Sequence, residues 1–391
     1  MSYQVEGNTT AATMAALLAN IAENGFDGMA KAMQILMNEA MKVERAKYLG
    51  AMPYERNIER HDYANGFKNK TVNTRVGSID LQVPQARGCE FYPESLDRGL
   101  RSEQALRLTV AEMYLQGVST RKVQKITQIL CGVNISSTDV SRATKLLDAE
   151  QEQWRTRKLG KYTYMIVDAI YEKTRRDGCV VDSAVLIAHG IDAHGKRDIL
   201  GVSVSLSEHE VHWRTFFESL VSRGLHGLEM ITSDAHAGLK AAKQAVFPSV
   251  PWQRCQFHLQ QNASSHVSKK SIKKEVAEDI RSIFNAPNIM EADRLLRMTC
   301  EKYKALESKL ASWMEDNIPE SLTIFTRPKE HQKRLRTSNM AERVNKEIRR
   351  RTKVVGIFPN EASALRLITS VLSEISDEWQ GGKIYLNINS E

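Results

Sequence analysis

The apolar residues of this chain change period several times along its length, and each change marks a new element. Over 11–47 they fall at helical spacing, with Met14, Leu17, Leu18 and Ile21 followed by Met33, Ile35, Leu36, Ala40 and Val43. This predicts two amphipathic helices broken near Gly25. A Met-rich stripe of this kind belongs to a core or a dimer face rather than to a cofactor site. From Tyr54 to Arg87 the runs shorten and alternate, and Thr74-Arg-Val-Gly-Ser-Ile-Asp-Leu-Gln-Val83 predicts a hairpin turning at Gly77-Ser78. Arg56, Arg60, Lys68, Lys70, Arg75 and Arg87 decorate it, either as phosphate contacts or as a solvated face. Between Glu103 and Leu147 helical spacing returns in short polar segments. Gly117 is placed to close one helix, Ser119 or Thr120 to cap the next, and Ser136 or Ser137 to cap a third. Short helices of this kind, carrying Arg121, Lys122 and Arg142, are like helix-turn-helix units that read the major groove; a generic helical linker has the same pattern.

The pattern then becomes that of a strand buried on both faces. In Lys161-Tyr-Thr-Tyr-Met-Ile-Val-Asp-Ala-Ile-Tyr171, Thr163, Met165, Val167 and Ala169 take one side and Tyr164, Ile166 and Ile170 the other. Asp168 is a carboxylate inside that strand. Such a group is costly unless it meets a cation, a metal or a donor network; the alternative is that it ends the strand at a turn. Strand-like runs follow at Ser183–Asp192 and Ile199–Leu206, then a helix over 209–224 through Val211, Phe216, Phe217 and Leu220. A short strand, Leu228–Ser233, leads directly to Asp234. The order β-β-β-α-β is that of a ribonuclease-H-like sheet, whose first and fourth strands are neighbours, so Asp168 and Asp234 are expected to meet. Asp234 is equally placed to be a plain N-cap for a helix over Ala235–Val246.

Pro251–Leu259 reads as another short strand, with Cys255 and His258 on it. Two such side chains are half of a zinc site and no second pair is in view, which favours packing or support of the acids. Residues 260–335 return to helical spacing through Val276, Ile280, Ile283, Phe284, Leu296, Tyr303, Leu310 and Trp313, with Lys269, Lys270, Lys273 and Lys274 making a basic face. This block separates the sheet from its last helices as an all-α insertion.

Composition narrows the partners. The 391 residues allow two or three domains, and 42% hydrophobic with 26% charged residues is an ordinary soluble balance. Lys plus Arg exceed Asp plus Glu, 55 against 47, which favours polyanionic partners where the excess is clustered. The cysteines, Cys89, Cys131, Cys179, Cys255 and Cys300, are odd in number and scattered, which argues for reduced thiols and a bacterial-type cytoplasm or nucleoid. No apolar run of ~18 residues and no signal-peptide pattern is present, so no membrane span is expected. The positive balance concentrates in Lys333–Lys353, nine Lys or Arg against two Glu. In a helix there, Val344 and Ile348 face the core while Glu342, Asn345 and Arg349 share one flank. That flank is either a solvated face or a device bringing a carboxylate and phosphate-binding cations to one scissile bond.

At this point the sequence resembles the bacterial insertion-sequence branch of the Mutator-type transposases, within the DDE superfamily. The matching pieces are Ile166-Val-Asp-Ala-Ile170, Ser233-Asp-Ala-His-Ala-Gly-Leu239, Arg254-Cys-Gln-Phe-His258, Ser338-Asn-Met-Ala-Glu-Arg-Val-Asn345 and Arg349-Arg-Arg-Thr-Lys-Val-Val-Gly-Ile-Phe-Pro359, in the family's order. Asn65-Gly-Phe-Lys68 and Val83-Pro-Gln-Ala-Arg87 extend the likeness upstream, so that it spans about residue 50 to the end. Each motif alone is weak, whereas five in order are specific.

The resemblance implies a ribonuclease-H-like core in which Asp168, Asp234 and Glu342 bind two magnesium ions, with manganese as a substitute. Cys255, His258 and Asn345 would support the site, and Arg349, with Arg350, Arg351 and Lys353, would contact DNA. The implied activity is cleavage at the element's terminal inverted repeats and joining of 3′ ends to target DNA, by a homodimer or higher assembly bridging two ends. The competing functions are a DNA-binding regulator on an inactive core and a structure-specific nuclease. The expected fold class is α/β. It comprises an N-terminal helical region (1–50), a basic β-hairpin region (51–100), a helix-turn-helix-like DNA-binding region (101–155), the core (156–260 and 336–391) and the all-α insertion (261–335).

Overall fold

The computed structural model describes residues 3–388 except 54, 56, 57, 59, 89, 90, 97 and 99–101, with side chains from residue 12 onward. Arg56 and Cys89, expected as a hairpin cation and a free thiol, lie outside the described residues. The chain divides into two compact units, Met1–Leu146 and Leu147–Glu391.

The first unit begins with α1 (Tyr3–Asn24) and α2 (Met29–Leu49), joined by a short 3-10 turn at Gly25–Gly28. The break near Gly25 is the expected one, and Gly25 has a φ of 56°. The apolar stripe is only partly a core. Met14, Leu18, Ile21, Leu36 and Val43 are exposed, while Ala32, Met41 and Leu49 are buried. The reason is that α2 lays Met41 on the hairpin β1 (Ala64–Thr74) and β2 (Gly77–Ala86), against Ile79, Leu81 and Val83. In the hairpin Thr74 pairs with Gly77, so the turn is at Arg75-Val76, two residues before the expected Gly77-Ser78. The Thr74 hydroxyl donates to the Gly77 carbonyl and closes that earlier turn. Helices α3 (Gln104–Leu115), α4 (Thr120–Cys131) and α5 (Ser137–Thr144) complete the unit. Ser119 caps α4 through the Lys122 N–H, and Ser136 with Asp139 forms a capping box on α5.

The second unit opens with α6 (Asp148–Thr156), which binds α15 (Glu361–Gly381) through Asp148–Arg366 and Gln151–Ser370. Its centre is a five-stranded mixed sheet in the order β5-β4-β3-β6-β7. Strands β3 (Tyr162–Arg176), β4 (Cys179–Asp192) and β5 (Arg197–Ser205) run antiparallel; β6 (Met230–Ser233) and β7 (Trp252–Arg254) lie parallel to β3 on its other side. β3 and β4 are longer than the apolar run predicts. They continue to a two-residue turn at Asp177-Gly178, both with positive φ, where an Asp-Gly pair suits a tight hairpin.

β3 is buried on both faces. Met165 and Val167 pack with Trp213, Phe217 and Leu220 of α7 (Glu210–Ser222) and Leu239 of α8 (Ala237–Val246). Tyr164 and Ile166 face the opposite way, onto Leu335 of α13 (Lys329–Leu335) and Met340 of α14 (Asn339–Thr352). Between β7 and α13, helices α9 (Gln256–Ser265), α10 (Lys273–Phe284), α11 (Ile289–Lys304) and α12 (Ser308–Asn317) share a core of their own through Leu259, Val276, Ile280, Ile283, Leu296 and Leu310. Among the described residues no helix is long and apolar enough to cross a membrane.

Candidate active site

The parallel pairing of β3 with β6 aligns two carboxylates. Tyr164, Met165 and Ile166 pair with Met230, Ile231 and Thr232, so Asp168 on β3 and Asp234 just past the end of β6 each lie two residues beyond the last matched pair. β7 extends the row: Ser233 pairs with Arg254, and the Cys255 N–H donates to the Ser233 carbonyl at 2.8 Å. Asp168, Asp234 and Cys255 therefore stand side by side where the parallel edge of the sheet ends. Asp234 is not a helix cap, since α8 starts only at Ala237 with His236 at its N-cap. Gly238 lets that helix start close in, because a Cβ there would lie 2.3 Å from the Glu208 carbonyl oxygen.

Cys255 and His258 do not share a strand as the sequence suggests. Cys255 is the N-cap of α9 and His258 lies in its first turn, which turns both side chains toward the acids. His258 Nδ1 sits against Asp234 Oδ1, and its Nε2 is 3.9 Å from Glu342 Oε1. Asp234, Cys255 and His258 each offer a ligand atom within 4.8 Å of the others, a third member that reading Cys255 and His258 alone does not supply. The Asp234 contact and the Cys255 hydrogen bond push the His258 imidazole up to about 10, so it carries a proton at neutral pH. Burial works against a Cys255 thiolate, but hydrogen bonds with His258 and Ser338 outweigh it and leave the thiol below its usual value.

Helix α14 brings the remaining groups. Ser338 caps nothing; its hydroxyl and N–H point to Cys255 Sγ at 3.3 and 3.4 Å. The Gln256 N–H donates to the Arg336 carbonyl, and the Thr232 hydroxyl to the Leu335 carbonyl, so the entry to α14 is tied to both α9 and β6. Glu342 lies in the first turn of α14, and Asn345, three residues on, donates to Asp168 Oδ2 at 2.6 Å. The Ala169 N–H donates to Oδ1. Burial and the nearby Asp234 charge push the Asp168 carboxyl up to about 6 against these donors. Ser338 is a site residue that sequence reading passes over: a Ser just before a helix looks like a cap, and only the fold turns it to a thiol.

The expected DNA-contact residues divide. Arg349, Arg350 and Lys353 are exposed on α14 or just after it, and Arg350 pairs with Glu347 at 2.7 Å. Arg351 is a correction: its guanidinium is buried between Glu347 and Glu374 and holds α14 to α15, so it is not presented to a phosphate. In the first unit Arg121 and Lys122 are exposed at the start of α4, and Arg142 on α5 stands 3.8 Å from Asp139.

The chain is 54% identical, over the full length of both chains, to the transposase of insertion sequence element IS406 from Burkholderia multivorans. It is 40% identical over 97% of its length to the transposase of ISRM5 from Rhizobium meliloti, covering 96% of that protein. It is 37% identical over 90% of its length to the transposase of IS256 in transposon Tn4001 from Staphylococcus aureus, covering 92%. The family model described as "Transposase, Mutator family" matches residues 6–382, and the chain belongs to that family.

Proposed function

We propose that this chain is a DDE-type transposase that binds the terminal inverted repeats of its element, cleaves DNA at the ends and joins 3′ ends to a target. The observation that carries the reading is the convergence of Asp168, Asp234 and Glu342, from β3, the end of β6 and α14, around one histidine. A ribonuclease-H-like core is the fold this reading assigns to the β5-β4-β3-β6-β7 sheet and its helices.

The three carboxylates suit hard divalent ions. Glu342 Oε1 is buried without a hydrogen-bond partner, Asp234 Oδ1 is met by the His258 imidazole, and Asp168 and Asp234 repel one another, which is the demand that magnesium meets. Two such ions, when bound, supply activation of water or a 3′-hydroxyl and stabilisation of the leaving oxygen. The chain's own groups prepare that site. Asn345 and the Ala169 N–H fix both oxygens of Asp168, and His258 holds its imidazole between Asp234 and Glu342, which would hold the ions with Asp168. Arg349, on the flank that carries Glu342, is placed for a phosphate beside the scissile bond.

The test is strand cleavage on a duplex ending in the element's inverted repeat, with magnesium. Asp168→Asn, Asp234→Asn and Glu342→Gln are each expected to abolish cleavage while leaving end binding within a few fold of wild type. Full cleavage by any of the three would sink the proposal.

A further inference from the structure

Along the other flank of α14 lies a cavity of about 330 Å³ with no acidic group in its lining. At ~100° per residue, Asn339 and Arg343 stand on the side of α14 turned away from Glu342, Asn345 and Arg349. Arg197 from β5, Lys333 and Arg334 from α13, Tyr385 and these two residues line the cavity. None of the four cations forms an ion pair with a carboxylate among the described residues, unlike Arg350 and Arg351 further along α14.

The guanidiniums are held in a set geometry. The Arg197 guanidinium carbon lies over two rings, 4.4 Å from the centre of Trp379 and 4.8 Å from that of Tyr385, and the Arg334 guanidinium carbon lies 4.7 Å from the centre of the Tyr385 ring. Stacking occupies the faces of a guanidinium and leaves its edge donors for a planar or tetrahedral oxyanion. Arg197 Nε is buried without a hydrogen-bond partner. Tyr385 is fixed in turn by its backbone, since the N–H groups of Tyr385 and Leu386 both donate to the Gly195 carbonyl, at 2.8 and 3.1 Å. Burial depresses the Arg197 guanidinium; Tyr385 works against that, and the like charges of Arg343 and Arg334 add to it. A cluster of this kind is held together at a cost in repulsion that an anion would relieve.

We propose that this cavity is a phosphoryl-anion site, and that its occupant is a backbone phosphate of DNA lying across α14 beyond the scissile position. A second phosphate gripped on the far flank would fix the strand's path over the helix that carries Glu342. Only the source of the phosphate rests on the DNA-cutting reading given above.

The experiment measures equilibrium binding of an inverted-repeat duplex across a salt series without divalent ions, and calorimetric binding of pyrophosphate, for wild type and Lys333→Gln/Arg343→Gln. Both substituted side chains are exposed, so the fold is expected to hold, and a thermal melt with the Arg343→Lys variant separates charge from folding. The proposal expects the double variant to bind the duplex roughly tenfold or more weakly with a salt slope shallower by about two, to lose pyrophosphate binding, and Arg343→Lys to recover most of both. Loss of pyrophosphate binding with unchanged duplex binding would overturn DNA as the source and leave a site for a free phosphoryl ligand. No change in either would overturn the site. The duplex used is the one in the cleavage test, so a protein that fails to cut yet shows these losses keeps the cavity assignment while the DDE reading falls.

Discussion

Asn345 on α14 donates a 2.6 Å hydrogen bond to Asp168 on β3, joining the helix that carries Glu342 to the strand that carries the first acid. A group that only orients a ligand is expected to matter less than the ligand itself. Asn345→Ala should slow magnesium-dependent cleavage about 10–100-fold and raise the magnesium requirement, with duplex binding unchanged. Cleavage rates over a magnesium titration check this, and a wild-type rate at low magnesium would remove Asn345 from the site.

Arg349 and Arg351 are two residues apart in sequence and opposite in situation. Arg349→Ala is expected to lower the salt slope of duplex binding by about one. Arg351→Ala should instead cost about 1–3 kcal/mol of stability, because Glu347 and Glu374 lose their shared partner while remaining partly solvated. Urea unfolding alongside the binding series distinguishes the two, and a slope change from Arg351→Ala would reverse the assignment.

Cys255 and His258 lie with Asp234 in a group able to hold a metal, yet Cys255 already accepts from Ser338 and His258 already meets two acids. We expect the pair to support the site rather than to hold zinc. Protein purified without chelator should then contain much less than one zinc per chain, and Cys255→Ser should retain its fold. Stoichiometric zinc lost on Cys255→Ser would replace the support role with a metal centre.

Gly195 has a φ of 75°, and a Cβ there would fall 1.6 Å from the Leu386 carbonyl oxygen. No side-chain rearrangement relieves a clash with backbone. Gly195→Ala is therefore expected to lose about 1–3 kcal/mol and to free the segment after Gly382 for proteolysis. Limited digestion with mass analysis would show cleavage there first; an uncut segment would mean the contact is dispensable.

His189, on β4, is fully buried with neither ring nitrogen hydrogen-bonded, and burial pushes its pKa down to about 3. The folded state thus refuses a proton that the unfolded state accepts below its ordinary value of 6.5. Stability from this group is intact above pH 6.5 and falls as the pH drops toward 3, by at most about 1.4 kcal/mol per unit. His189→Leu should flatten the dependence of the urea midpoint between pH 7 and pH 5, and an unchanged dependence would assign it to other groups.

The period of apolar residues determines much of this protein without reference to the fold. It places Asp168 inside a two-faced strand, ends α1 near Gly25, narrows the caps of α4 and α5 to Ser119 or Thr120 and to Ser136 or Ser137, and sets Glu342, Asn345 and Arg349 on one flank of a helix. Each of these is a local relationship, decided by dihedral preference and side-chain spacing within a turn or a strand. Partners chosen across long sequence separations are different, because pairing register and burial are settled by the whole core. Only the parallel register of β3 with β6 carries Asp168 to Asp234. Only the docking of α9 beside α14 turns His258 between two acids and spends Ser338 on Cys255. The same holds for Arg351, which by sequence is one more cation in a basic run. The packing of α14 on α15 closes it between two glutamates, while Arg343 on the neighbouring flank shares a cavity with Arg197, Lys333 and Arg334.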